Sequence, residues 1–417
     1  MARLRDVFGN RRVGIQLPLG YASGLPLLLT GETLGTWMAT QKVDLKTIGV
    51  FTLVGLSYNL KFLWAPLLDR YPLPFLGRRR GWMLVFQLAL LAGILVLGTM
   101  DPAGAPGAAA LVAVAVAFFG ASHDVVIDGY RADLLKPEER AAGVSIFILG
   151  YRLGMLVAGA ATLVLVKKLG WSTVYRMAGL TMVIGIVATI FAPEPEARAR
   201  PPQSITDAYI KPFADLLQRR GAVVILALVL LYRFGYAVAQ PMSSPFLVQL
   251  GFTTMDIGVV KKGVGLVATL LGGLAAGAWV SRLGTRRALL IFGATQAFIH
   301  LAWLALYYTG PNPSMLALTI GVENFFMGLA TTAFDAYLMT LCNSSFSATQ
   351  YAVLSSMTSL GGRLFGASSG AMVKVMGWPT FFITTSLAAL PSLALLLFLM
   401  PKTADAEEPA PPKTDAA

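Results

Sequence analysis

Pro66-Leu-Leu-Asp-Arg-Tyr-Pro-Leu-Pro-Phe-Leu-Gly-Arg-Arg-Arg-Gly81 joins two apolar runs, and Gly277-Ala-Trp-Val-Ser-Arg-Leu-Gly-Thr-Arg-Arg287 joins two others. Each stretch sets Asp69 or Ser281 before an arginine, then a glycine, then clustered arginines. On both sides the chain stays apolar for about 20 residues at a time, the length of a helix that crosses a bilayer. Of 417 residues, 56% are hydrophobic and 13% charged, and mean hydropathy is +0.68. A soluble chain carries roughly 25% charged residues, so lipid must be the solvent for most of this surface. Backbone groups cannot stay unpaired in hydrocarbon, which leaves helices or a closed barrel. Runs of this length without two-residue alternation select helices. The fold class is an all-α membrane protein.

Twelve apolar segments are expected, at 15–38, 47–68, 81–99, 108–130, 141–166, 172–192, 221–249, 256–281, 287–309, 314–340, 347–373 and 378–400. They divide into an N-terminal six-helix bundle (1–192), a linker (193–220), a C-terminal six-helix bundle (221–400) and a disordered tail rich in Pro, Ala and acids (401–417). The short basic N-terminus has no small-residue cleavage site and is read as the start of a retained first helix.

The net charge of +12 would suggest nucleic acid in a soluble protein. Here lysines and arginines gather in alternate loops, so they set topology, and no nucleic-acid partner is expected. The basic set is the N-terminus, the second–third loop, the fourth–fifth loop, the linker and the eighth–ninth loop, which puts both termini and the linker in the cytoplasm. The single cysteine, Cys342, and two histidines, His123 and His300, supply no disulfide framework or metal-binding spacing. No cofactor or metal is expected. Nor does any nucleophile–base pair suggest an enzyme.

The halves repeat each other. Lys46-Thr-Ile-Gly-Val is matched by Met255-Asp-Ile-Gly-Val, Asp128-Gly-Tyr130 by Asp335-Ala-Tyr337, and Gly150-Tyr-Arg152-Leu by Gly361-Gly-Arg363-Leu. Gly170-Trp171 and Gly377-Trp378 match as well. A parallel six-span repeat is the architecture in which two bundles rock around a central cavity. The two arginine loops resemble the loop signature of the major facilitator superfamily, with Ser281 in place of the second acid. That resemblance implies the twelve-helix major facilitator fold in two pseudo-symmetric bundles. It also implies that Asp69, with Arg70, Arg131, Arg282 and Arg286, belongs to a gate at the cytoplasmic ends.

Ionisable groups inside the spans are costly and face a cavity or a partner. Asp124 and Asp128 are four residues apart and share one helix face. With Glu32 and Glu323 they are the candidates for proton coupling. Salt bridges to Arg131 or Arg140 are the competing reading, favoured for Asp128 and evenly balanced for Asp124. His123, beside Asp124, is a lesser candidate for proton transfer. Arg152, Arg233, Arg363, Lys61 and Lys262 outnumber the nearby acids, which suits an anionic substrate. Tyr21, Trp37, Tyr151 and Tyr232 could stack on sugar rings, with helix packing as the plainer reading.

Tyr21-Ala-Ser-Gly-Leu-Pro, Leu60-Lys-Phe-Leu-Trp-Ala-Pro-Leu-Leu-Asp-Arg, Asp124-Val-Val-Ile-Asp-Gly-Tyr-Arg and Leu149-Gly-Tyr-Arg-Leu-Gly-Met-Leu are similar to the AmpG muropeptide permeases. So are Lys262-Gly-Val-Gly-Leu-Val-Ala-Thr, Glu323-Asn-Phe and Ala348-Thr-Gln-Tyr-Ala-Val-Leu-Ser-Ser. The chain departs in being shorter than some members and in carrying Asp335 where an apolar residue is expected. The resemblance implies proton-coupled import of anhydromuropeptides by a monomer in a bacterial inner membrane. The alternatives are a carrier of another anionic solute, such as an acyl-CoA or oligopeptide, and a non-transporting assembly protein on the same fold.

Overall fold

The computed structural model describes residues 9–43, 51–195 and 202–399. Ten helices are long and apolar enough to cross a bilayer. In the first half these are the first span, Arg11–Thr40, the third, Gly77–Thr99, the fourth, Pro106–Leu134, the fifth, Arg140–Leu169, and the sixth, Trp171–Phe191. In the second half they are the seventh, Ala222–Leu250, the eighth, Met255–Leu283, the ninth, Thr285–Thr309, and the tenth, Pro313–Thr340. The last apolar helix, Ser369–Phe398, breaks at Gly377, so its start completes the eleventh span, which begins with Ser347–Ala367. The remainder is the twelfth.

The second span differs from the unbroken helix expected over 47–68. It is built of short pieces, Thr52–Gly55, Leu56–Leu60, Lys61–Leu63 and Ala65–Arg70. Asn59 and Lys61 are buried within it, so this span turns polar groups inward where an apolar helix would turn Leu. The expected start at Lys46-Thr-Ile-Gly-Val and the tail 401–417 lie outside the described residues. The linker carries a helix of its own, Ile205–Leu217, capped by the Ser204 hydroxyl, which accepts from the Asp207 amide at 3.0 Å.

Two Gly-Trp steps show the repeat in backbone terms. Gly170 has φ 75° and ψ 159°, and Gly377 has φ 72° and ψ 167°, a region open essentially to glycine. Each ends one span and starts the next. Within the N-terminal bundle the first and fifth spans meet backbone to backbone. A Cβ at Gly24 would lie 2.1 Å from the Tyr151 carbonyl oxygen, and one at Gly150 would lie 2.0 Å from that of Leu17. Small residues four apart permit such contact without a hydrophobic drive in lipid. The equivalent seventh and eleventh spans also touch, with Phe234 edge-on to Phe365 at 4.6 Å, and beside that contact opens a cavity of ≈550 Å³ lined by Arg233, Tyr236, Gln240, Thr358 and Gly362.

Candidate functional site

The halves are fastened at the end that carries the basic loops. Asp69 ends the second span fully buried. Its Oδ1 accepts from Arg79 at 2.6 Å and from Arg78 at 3.1 Å. Its Oδ2 accepts from the Thr349 amide at 2.8 Å and the Thr349 hydroxyl at 2.5 Å, across the divide between the bundles. Arg79 also bridges Asp133 at 3.1 Å and the Ser347 hydroxyl at 2.7 Å. Arg78 donates to the Ser344 and Ser345 carbonyls. The fourth span passes so close that a Cβ at Gly129 would lie 2.8 Å from that of Ala348.

The linker helix straps this closure. Arg70 donates to the Gln203 carbonyl at 2.8 Å, and the Tyr209 hydroxyl donates to the Leu63 carbonyl at 2.9 Å. On the other half Gln350 donates to the Pro212 carbonyl at 3.1 Å and to Asp215 at 2.8 Å. Burial works to raise the Asp215 carboxyl. Hydrogen bonds from Gln350, Arg219 and Asn343 and the Arg219 charge outweigh it and hold the group below its ordinary range. Arg70 therefore ties the linker rather than pairing with an acid. Arg282 and Arg286 are exposed, and neither has an ion-pair partner among the described residues.

Above this closure lies a charged layer. Asp128 meets Lys61 at 3.3 Å and Arg131 at 2.5 Å. The Arg131 guanidinium sits 3.8 Å from the Phe147 ring centre and 5.8 Å from that of Tyr351 on the other half. Lys61, expected to hold substrate, and Arg131, expected at the gate, are thus both counter-ions of Asp128. Asp124 accepts from the Ser23 hydroxyl and has no cation within 4.0 Å among the described residues. Tyr58 and Tyr151 lie within its electrostatic reach. His123 turns to Gln87, at 3.0 Å, inside the N-terminal bundle.

Two expected substrate ligands face the space between the halves without an acid. Arg152 is half-buried and donates to the Met155 sulfur at 3.9 Å. Arg233 meets the Met327 sulfur at 3.2 Å and the Tyr236 ring at 5.8 Å. Neither has a carboxylate partner among the described residues. Both act electrostatically on Tyr236, as does Glu323 from the tenth span, so the fifth, seventh and tenth spans bring these charges within reach of one ring.

The other expected residues lie elsewhere in this structure. Trp37 stacks on Trp171 at 5.6 Å and packs on Tyr175 within the N-terminal core. Tyr232 stacks on Phe334 at 4.7 Å and donates to the Leu289 carbonyl, inside the C-terminal core. Tyr21 is buried in the N-terminal core against the fifth span. Glu32 is exposed and apart from the charged layer. Glu323 is buried near Trp303 and Lys261, away from Asp124. The side chains of Lys262 and Arg363 lie outside what is described. Sequence reasoning missed Asp335 as a site residue, although its repeat match to Asp128 was the signal that would have found it.

The major facilitator superfamily model matches residues 20–268 and 263–416. An anhydromuropeptide permease of Escherichia coli is 44% identical over 94% of this chain and 80% of its own length. A putative AmpG transporter of Rickettsia felis is 33% identical over 96% of this chain and 99% of its own. Among solved structures, the human organic anion transporter MFSD10 has a TM-score of 0.63 at 19% identity, covering 95% of this chain and 100% of its own. The proton:xylose symporter XylE has a TM-score of 0.67 at 12% identity, covering 94% and 95%. These two carry the fold alone.

Proposed function

The chain belongs to the major facilitator superfamily and, within it, to the AmpG-type permeases, and from that premise we propose that it imports anhydromuropeptides driven by protons. The cargo is N-acetylglucosaminyl-1,6-anhydro-N-acetylmuramic acid, with or without peptide, carried from periplasm to cytoplasm for peptidoglycan recycling. The observation that carries the reading is the pair Arg152 and Arg233, two guanidinium groups facing the space between bundles with no protein carboxylate on either. Uncompensated arginine inside a membrane protein is stable only where water or an anion reaches it. Its fork takes a carboxylate two-pronged. Tyr151 and Tyr236 beside these arginines offer flat faces to sugar rings.

Positive charge marks the cytoplasmic side, so the Asp69 closure is the cytoplasmic gate and both termini lie in the cytoplasm. The gate is shut, and the substrate path opens to the periplasm of a bacterial inner membrane. Asp124, held by Ser23 beside the Lys61–Asp128–Arg131 set and lacking its own cation, is a group we assign to the proton's path through the N-terminal bundle. The working unit is a monomer, since both bundles that enclose the path come from one chain.

Proteoliposomes test this with radiolabelled disaccharide and an inward proton gradient. Accumulation above equilibrium that a protonophore abolishes is expected. Accumulation indifferent to the protonophore rejects proton coupling. Failure to take up the disaccharide while an acyl-CoA or oligopeptide enters rejects the substrate. Asp124→Asn should lower accumulation far more than counterflow exchange, and equal loss of both makes Asp124 purely structural.

A further inference from the structure

Asp335 on the tenth span is the repeat mate of Asp128 on the fourth, but their surroundings differ. Asp128 has two cations within 3.3 Å. Asp335 is half-buried and, among the described residues, has neither a salt bridge nor a hydrogen bond through its side chain. The charged and titratable groups that face it are Arg233 from the seventh span, Arg131 and Asp128 from the fourth, Lys61 from the second and Tyr351 from the eleventh. Arg131 and Lys61 are already committed to Asp128. Arg233 is not: it touches a thioether and an aromatic ring and opens onto the ≈550 Å³ cavity. A carboxylate and a guanidinium, each without a direct partner, are each expensive alone in low dielectric. Asp335 lies within the electrostatic reach of Arg233, so each is made tolerable by the other's field.

We propose that Asp335 is the resident counter-charge of Arg233, that the substrate's carboxylate takes its place, and that substrate binding and proton uptake by Asp335 are therefore one linked event. The inference rests on the permease reading and names both the group by which the cargo is held and the acid that answers it. When a substrate carboxylate docks on the Arg233 fork, Arg233 no longer offsets the charge on Asp335, and Asp128 repels it. A proton from the aqueous path joins the Asp335 carboxylate oxygen. The pocket then holds one added anion and one added proton, with no net change in charge. On release, Arg233 is freed, Asp335 gives the proton to water, and the pair is restored. By reciprocity, acid must tighten substrate binding and alkali must weaken it.

Titration calorimetry on the full-length protein in detergent, with the anhydromuropeptide disaccharide from pH 8 to pH 5.5, reads this directly. Wild-type affinity should rise about tenfold as pH falls, with a buffer-dependent heat that reports proton uptake. Asp335→Asn should bind at pH 8 as tightly as wild type does in acid and take up no proton, whereas Asp335→Glu should restore the pH dependence. A pH dependence that survives in Asp335→Asn, or that Asp124→Asn removes instead, overturns the assignment. If the disaccharide binds at no pH, the substrate reading fails, and the Asp335 claim is decided without it. Infrared difference spectra of substrate-free Arg233→Gln against Arg233→Gln/Asp335→Asn should then reveal the carbonyl stretch of a protonated Asp335 at neutral pH, absent from the matching wild-type pair. No such band overturns it.

Discussion

In the loop between the second and third spans, Asp69 is buried and collects four donors, two of them from Thr349 on the opposite half. In the matching loop between the eighth and ninth spans, the Ser281 hydroxyl turns back to the Gly277 carbonyl of its own helix at 2.7 Å. There Arg282, Arg286 and Arg287 stand exposed. The same arginine pattern thus serves two ends. Exposed arginines mark which side of the membrane a loop occupies and add little to stability. Arginines folded around a buried acid lock two bundles together. The acid makes the difference.

The largest effect should follow from removing it. Asp69→Ala leaves Arg79 buried between Asp133 and Ser347 without its principal counter-ion. Breaking a buried pair on one side costs about 3–5 kcal/mol. The melting temperature in detergent should drop by several degrees, and cysteine accessibility should rise at the basic end. An unchanged melting temperature would end the claim that this loop is the lock. Next comes Gln350→Ala, which removes the donor to Pro212 and Asp215 and leaves Asn343, 3.3 Å from Asp215, to hold the linker to that half. A loss of about 1–3 kcal/mol is expected, read as greater proteolysis of the linker. Because the Asp215 carboxyl is held below its ordinary range, its contribution is full above the unfolded value near ~3.9 and fades only as pH falls through the lower folded value. Linker proteolysis should therefore be the same at pH 8 and pH 6. Smallest is Ser281→Asp, which restores the acid to the second loop without an opposing Thr349. It should move stability by less than about 0.5 kcal/mol. A large gain would mean that the second loop also closes on a partner.

The sequence carried the charges further than the rings. Asp69 could be singled out by its loop motif, and Arg233 and Arg152 because an ion inside an oily span must have a reason, and few reasons exist. Trp37, Tyr21 and Tyr232 pack in the bundle cores, the plainer of their two sequence readings, because an aromatic side chain satisfies a core as well as a cavity wall and helix position alone does not say which. Their environment is set by which neighbouring spans approach, as at Gly24 and Gly150. The broken second span was hidden for a similar reason. Its hydropathy reads as one helix, while its geometry answers to where Lys61 must meet Asp128. Asp335 stands out twice in the sequence, through the repeat and as an acid at an apolar position, but its role depends on Arg233 lacking a direct carboxylate, which only the folded chain shows.

Gly129 lets the fourth span lie against Ala348 with no space for even one carbon more. That contact is made across the closed basic end. A methyl group at this position would act as a doorstop, penalising one half of the transport cycle and leaving the other untouched. Gly129→Ala is thus a way to hold the protein ajar at its basic end without altering a single charge.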